Sequence, residues 1–504
     1  MIKKYFFAAI LAAGTLLTSC DMDMRPYGSL DDENAIQSVN DCQRFRNGLY
    51  SSLRGLTTGS YVYATDIQAD QFQGTVTNDN RMGIISIGNI LSSDQDITNY
   101  WANVYSVINS ANYAIEKMEE LLAGGSLSAN DSTAISRYLG EAKFIRAYCY
   151  YWLADHFCEQ YSAETAQAAH KGLPLVTTYH PTGDASAYPG RSTQDETYGL
   201  IESDLQDAYT ALTAFEQADN SNVAANASYL SSYAVLAMQA RIALAKGDNA
   251  TALSKAEEVI NTNLYPLTEL DDYLTLWTED TGTEVLFRPF MSNAELGNST
   301  GITYLSINLD NADYIPTYDL LAMYGEGDVR FDAYFDVWEL TETKAQAYVF
   351  CKYPGNESLK TGTQPNYMNM PKVFRTSELY LIAAEAAIDS DPTKANKYLN
   401  DLRTKRIKNY QAVTYNGTEL RDQIRLERQK ELVGEGFRLS DLRRWGLGFA
   451  RNPEHPENPA IEDIIVPNSS NVTYEAGDHR YVWPIPSDEM QTNPQLEGQQ
   501  NPGY

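Results

Sequence analysis

The chain has 504 residues, a formal net charge of −29 and five cysteines. An acidic excess of that size repels phosphate backbones and anionic lipid headgroups, which argues against nucleic-acid binding and against electrostatic adsorption to a membrane. The cysteines carry no CxxC spacing, so neither a zinc or redox motif nor a disulfide framework is indicated.

The N-terminus predicts export. Lys3 and Lys4 precede an apolar run, Tyr5 to Leu17. That run is shorter than the roughly 20 residues a spanning helix needs and matches a secretory signal core. It ends Leu17-Thr18-Ser19-Cys20, which resembles a bacterial lipobox, in which the cysteine is lipidated and becomes the new N-terminus. Removal of residues 1–19, with two lysines and no acid, takes the charge to −31. Acyl chains on Cys20, each buried CH₂ worth about 0.8 kcal/mol, then supply the membrane attachment. The remaining cysteines, Cys42, Cys149, Cys158 and Cys351, are expected as buried thiols. Cys149 and Cys158 are nine residues apart and face opposite ways on one helix.

Helical periodicity recurs along the chain. Asp32 to Leu53 is one segment. Ile97 to Leu122 carries Trp101, Val104, Tyr105, Ile108, Ala111, Ile115 and Met118 on one stripe, so Trp101 reads as core. Ser132 to Phe157 is apolar nearly all round after Phe144. Thr193 to Phe215 opens on Ser192-Thr193-Gln194-Asp195, with capping oxygens and first-turn acid. Ser228 to Ile260 reads as a helical hairpin turning at Gly247-Asp248, with small residues at Ala240, Ala252 and Ala256. A second such hairpin follows 143 residues later, with Ala383 for Ala240, Ala395 for Ala252, and Pro392 where a helix tolerates proline best. This pairing resembles a tetratricopeptide repeat.

Between the hairpins, Asn263 to Met370 is broken by prolines and glycines and holds β-rich runs such as Glu284-Val285-Leu286-Phe287. Gly59 to Leu91 is similar, and its runs Tyr61-Val62-Tyr63 and Gly83 to Ile87 read as short strands. Loops on a rigid frame are where binding residues concentrate. Asn452 to Tyr504 has little helical period. The 36 tyrosines, against 15 phenylalanines and 6 tryptophans, suit either packed interiors or a ligand-stacking surface.

Three longer motifs are specific: FRTSELYLIAAEAA (Phe374 to Ala387), IRLERQKELVGEGFRLSDLRRWG (Ile424 to Gly446) and YVWPIPSDEMQTNPQLEGQQNPGY (Tyr481 to Tyr504). With YLGEAKFIRAYCYYWLADHFCEQY and the lipidated start, they resemble the RagB/SusD family of nutrient-uptake lipoproteins over nearly the whole chain. Leu139-Gly140-Glu141-Ala142 stands where family members often read LRAE. Asp21 and Asp23 resemble the acidic signal that sends Bacteroidetes lipoproteins to the cell surface.

The resemblance implies a mainly α fold, a right-handed tetratricopeptide-like scaffold of four helix pairs with irregular loops and short strands forming the ligand face. Residues 1–19 are then the signal peptide and 20–504 a single domain. The scaffold runs over about 30–262 and 371–450, the insertions over about 59–94 and 263–370, and the tail over 451–504. It also implies a cell-surface protein without enzymatic activity or cofactor. Such a protein binds an oligosaccharide, or in some relatives a peptide, and acts as lid of a partner TonB-dependent, SusC-like barrel transporter. Relatives bind on loops that correspond here to Asp70–Gln73, Asn78–Arg81 and the stretch around Tyr304, Asn308 and Tyr314. The expected ligand contacts are Phe72, Tyr304 and Tyr314 as aromatic platforms and Asn80 and Arg81 as hydrogen-bond donors.

Competing chemistry is weaker. Glu427 and Glu431, four apart on a helix, could be read as a glycosidase acid pair, but neighbouring Arg428, Arg438, Arg443 and Arg444 favour structural ion pairs. His156, His170, His180, His455 and His479 show no HExxH or clustered spacing. No G-x-S-x-G elbow or phosphate-cradling loop occurs. Asp310 and Asp313 offer calcium-type oxygens without the EF-hand spacing. A secreted glycoside hydrolase and a scaffold binding only protein are the readings from other classes.

Overall fold

The computed structural model describes residues 35–219, 226–306, 311–341, 343–467 and 472–504. Cys20, Asn308 and Asp310 lie outside them. Helix α1, Val39–Leu56, begins at Val39 rather than Asp32 because the Ser38 hydroxyl accepts the Asp41 N–H and fixes the start there. Helices α3 (Gln95–Ala123) and α4 (Ala129–Phe157) are capped by Asp94 and Ser128. At α5 (Gln194–Asp219) Thr193 and Glu196 form a reciprocal capping box: the Glu196 N–H donates to Thr193 Oγ1 (3.1 Å) and the Thr193 N–H to Glu196 Oε2 (2.8 Å).

Helix α4 packs along α3 and α5. Gly140 makes the second contact possible: a Cβ there would stand 2.7 Å from Ala211 Cβ. Beside it, the buried Glu141 pairs with Arg46 of α1 and, at 3.0 Å, with Arg137.

The hairpins are α6 (Ser232–Lys246) with α7 (Asn249–Ile260), and α8 (Thr376–Ala386) with α9 (Pro392–Thr404). Helix α8 packs on α7, so units 143 residues apart in sequence stack as spatial neighbours. Ala240, Ala252, Ala256, Ala383 and Ala395 are all fully buried at these contacts. The result is a tetratricopeptide-like helical scaffold. Among the described residues, no helix is long and apolar enough to cross a membrane.

The strands form two-stranded antiparallel ladders: β1 (Phe72–Gly74) with β3 (Tyr314–Pro316), β2 (Val285–Phe287) with β6 (Phe374–Arg375), β4 (Phe335–Glu339) with β5 (Gln346–Phe350), and β7 (Phe449–Ala450) with β8 (Thr473–Tyr474). Two expected strands are helical instead. Ser60–Gln68 is helix α2, and Gly83–Ser86 is a single helical turn. In α2, Tyr61 and Tyr63 stand about 200° apart around the axis. Tyr61 therefore packs edge-on against Tyr100 and Trp152 in the scaffold core, while Tyr63 packs against Tyr304 in a second core under the insertions. Tertiary burial on two sides overrides the β preference of Tyr-Val-Tyr.

A buried ionic network joins scaffold to insertion. Glu431, near the end of α10 (Gly417–Leu432), accepts from Arg406 (3.0 Å), Arg330 (3.0 Å) and Arg375 (2.5 Å). Glu284, just before β2, bridges Arg406 (2.8 Å) and Arg375 (3.1 Å). Glu427 pairs with Arg330 (2.7 Å) and Arg403 (2.6 Å). Glu435 pairs with Arg375 and Lys352, each at 2.6 Å. The clustered arginines hold Glu284, Glu427, Glu431 and Glu435 below the usual carboxylate range despite burial, and burial lowers Lys352 to about 8. The neighbours named from sequence bond elsewhere: Arg428 to Asp441, Arg438 to Asp70, Arg443 to Asp155, and Arg444 to Glu385 and Asp441. Of the cysteines, Cys42, Cys149 and Cys158 are buried free thiols and Cys351 is half-buried.

Asp66 of α2 behaves differently from those four carboxylates. Its Oδ2 accepts the Gly436 N–H at 2.7 Å, Oδ1 has no hydrogen-bond partner among the described residues, and burial raises its pKa to about 7. Gly436 has φ +82°, and its Cβ position lies 3.0 Å from the Val62 carbonyl oxygen, so α2 is clamped close to the α10 exit. Between pH about 4 and 7 the folded protein holds a proton on Asp66 that the unfolded chain releases, so this contribution to stability falls as pH rises through that window. Glu284, Glu427, Glu431 and Glu435 act oppositely: their contribution is complete above pH 4.5 and is lost as pH falls below it. Asp66→Asn is therefore expected to raise the urea midpoint at pH 8 and to lose most of that gain at pH 5. An equal gain at both pH values would contradict the assignment.

Candidate functional site

The loop face is built where three distant segments meet. Beside the β1–β3 ladder, Thr75 N–H donates to the Asp313 carbonyl (2.9 Å), Val76 N–H to Ile464 (2.8 Å) and Val466 N–H to Gly74 (2.9 Å). The chain then turns sharply through Asn78–Gly83. Asp79, Asn80 and Met82 have φ of 50°, 57° and 53°. Aspartate and asparagine adopt this left-handed region readily and methionine rarely does, so the turn is held rather than relaxed. What holds it is the Asn80 N–H on Asn78 Oδ1 (2.8 Å) and the Tyr314 hydroxyl on the Arg81 carbonyl (2.6 Å).

The five expected ligand residues converge here, at two depths. Asn80 and Arg81 are exposed. Arg81 has a side chain 42 % accessible, and its Nε lies 2.9 Å from Asp313 Oδ2, a carboxylate only 10 % accessible. Burial raises the Asp313 pKa to about 6 against the lowering effect of Arg81.

Phe72, Tyr304 and Tyr314 are fully buried beneath that surface, which corrects their expected role as platforms. Phe72 packs at a tilt against Tyr304, 4.7 Å between centroids, and meets Phe350 edge-on at 5.0 Å in a fully buried setting. These rings are the core that supports the loop. Tyrosine is abundant because interiors here are built from it: rings pack together while hydroxyls reach backbone carbonyls, as with Tyr353 on Gly434 (2.8 Å) and Tyr324 on Lys430 (2.9 Å). Trp101 is core, as expected.

The β4–β5 hairpin adjoins this face through Asn458, whose amide donates to the Gln346 carbonyl (2.8 Å). It carries the exposed Val337 and a half-exposed Trp338 whose indole N–H donates to Asp336 (3.1 Å). The alternation Phe335-Asp336-Val337-Trp338-Glu339 was the sequence signal for a tryptophan on a surface strand, and the sequence reading missed it. Glu427 and Glu431 are both enclosed and ion-paired with arginines, which keeps them ionised. A glycosidase acid needs the opposite shift and access to substrate. His156 stacks on Trp152, and burial lowers it to about 4, while His455 is buried beside Gln73. Among the described residues, no group of three or more His, Cys, Asp or Glu side chains is placed to hold a metal.

Two family models match this chain: the SusD family over residues 337–504, and a family described as starch-binding associating with outer membrane over residues 23–244. The chain belongs to the SusD/RagB family. Its curated relatives include the SusD-like protein P38 of Formosa agariphila, 23% identical with 97% of each chain covered. A SusD superfamily protein of Bacteroides thetaiotaomicron is 27% identical, with a TM-score of 0.78 over 92% of this chain and 100% of that one. A Bacteroides vulgatus protein assigned provisionally as sugar-binding is 26% identical, with a TM-score of 0.74 over 94% of this chain and 100% of that one. SusD-like membership thus brings a carbohydrate-binding family together with the fold described above.

The two depths of the site separate by mutation. Phe72→Ala is expected to destabilise by about 3–5 kcal/mol, as a large aromatic deletion from a packed core. Asn80→Ala, at an exposed position whose left-handed backbone suits asparagine better than alanine, is expected to cost about 1–2 kcal/mol. Chemical denaturation checks both, and equal small effects would put Phe72 back at the surface.

Proposed function

We propose that this SusD-like chain is a cell-surface lipoprotein, anchored through acylated Cys20, that captures oligosaccharides and passes them to a TonB-dependent, SusC-like barrel transporter for which it serves as lid. The observation that carries the reading is the match of residues 23–244 to the family described as starch-binding and outer-membrane-associated. The loop face of Asn80, Arg81, Asp313 and Trp338 is the proposed point of capture. Exposed amide and guanidinium donors there, with a half-exposed indole on the adjoining β4–β5 hairpin, supply the planar donors and apolar ring face that sugars require. The role is binding rather than catalysis, since the most suggestive carboxylate pair is consumed in structure. The acidic surface disfavours direct adsorption to anionic lipid, which leaves the acyl chains as the attachment.

Calorimetry against a panel of neutral glycans and peptides tests the cargo. Heat from at least one oligosaccharide, lowered tenfold or more in affinity by Asn80→Ala with Arg81→Ala, is expected. Heat from peptides alone would replace the glycan with an oligopeptide. Purification from native outer membranes without a barrel protein would remove the lid role.

A further inference from the structure

Of the Phe, Tyr and Trp side chains among the described residues, two are exposed, Tyr229 at 40 % and Phe290 at 51 %. Both line the same groove, of about 780 Å³, on the flank of α1. That volume falls within the range of roughly 300–1,000 Å³ typical of small-ligand sites. None of its residues belongs to the loop face: Asn47 and Arg54 come from α1, Asn226 and Tyr229 from the approach to α6, and Phe290 and Glu295 from the stretch after β2.

The Tyr229 ring and the Phe290 backbone are fixed. Tyr229 has the Arg46 guanidinium 4.3 Å from its centroid and the Tyr50 ring edge-on at 5.8 Å. Arg46 is itself locked on Glu141, with Nη2 2.8 Å from Oε1. The backbone beside Tyr229 is tied by the Leu230 N–H on the Tyr50 hydroxyl (2.9 Å) and the Arg288 N–H on the Ala227 carbonyl (2.8 Å). Phe290 is positioned by Arg54, which donates to its carbonyl at 2.9 Å and to Ser51 Oγ at 3.1 Å. Exposing two rings carried on this held backbone leaves apolar area in water with no benefit to folding, and a ligand that covers them recovers it.

The polar lining selects the ligand. The groove's cation, Arg54, is engaged with backbone, Ser51 and, at 3.5 Å, Glu295, so no unpaired positive charge invites an anion. Among the described residues the exposed Asn47 amide has no hydrogen-bond partner, and it offers a donor pair and an acceptor. We propose that this groove is a second carbohydrate site, separate from the loop face, which takes a neutral oligosaccharide by stacking sugar rings on Tyr229 and Phe290 and hydrogen-bonding hydroxyls through Asn47 and Asn226. A second contact on the scaffold side raises avidity for long chains, because one polymer engages both sites.

The test is titration calorimetry with maltohexaose, laminarihexaose, cellohexaose, mannohexaose and xylohexaose on wild type, Phe290→Ala, Tyr229→Ala with Phe290→Ala, and Asn80→Ala with Arg81→Ala, each with a melting curve to establish folding. Phe290→Ala alters an exposed ring only and leaves the melt unchanged. The expected result is two sites per chain for at least one hexaose, with Phe290→Ala weakening one of them tenfold or more and the loop-face variant leaving that one intact. A single site untouched by Phe290→Ala and by the double aromatic variant, or no heat from any of the five, overturns the groove. Loss of all binding in the loop-face variant alone likewise overturns the groove while sustaining the capture site proposed above. Loss in the aromatic variants alone sustains the groove and moves capture away from the loop face.

Discussion

The carboxylate of Glu431 lies within 3.0 Å of guanidinium nitrogens from Arg330, Arg375 and Arg406, fully out of water, and the architecture depends on that cluster. Its members come from the exit of α9, from α10, from β6 and from the irregular stretch between the hairpins. Taking these charges from water is costly, and removing one partner from a buried pair typically costs about 3–5 kcal/mol because the other is left uncompensated. A cluster with so many mutual partners therefore admits only one register between scaffold and insertion. Hydrophobic contacts alone, being non-directional, would tolerate sliding.

Fixing that register places the loop face. Once Glu284 and Arg375 are joined, β2 and β6 pair, and the aromatic core of Tyr304, Phe350 and Tyr353 closes over α2. The tail completes the enclosure: Trp483 stacks near Tyr100 at 5.3 Å and donates to Gln68 at 2.9 Å, and Asn501 reaches the Phe157 carbonyl at 2.8 Å. The surface turn at Asn80 and Arg81 rests on this double core, held down by the Tyr314 hydroxyl. A left-handed backbone at Met82 persists only where its surroundings over-determine it, and here the supporting rings do so.

The helical hairpins could be read from sequence because their signals are local: a 3.6-residue period, small residues at close contacts, and caps such as Asp248 and Asp391. The structural role of Glu427 and Glu431 was also legible, though not their partners. Arg330 lies about a hundred residues upstream, and pairing across that span leaves no local pattern. Tyr61-Val62-Tyr63 misled because a short apolar run reads the same in a strand as in a helix buried on two sides. The aromatic residues of the site were the hardest part. Phe72 and Tyr229 are both plausible platforms by residue type, and only the packing around them puts one in the core and leaves the other 40 % exposed.

Native-state hydrogen exchange across a urea series tests most directly whether the ionic cluster makes scaffold and insertion one cooperative unit. The account predicts that amides of β2, β4, β5 and β6 open with the same free energy and denaturant dependence as those of α8 and α10. Opening of the insertion strands at markedly lower urea, with the hairpins still protected, would contradict it.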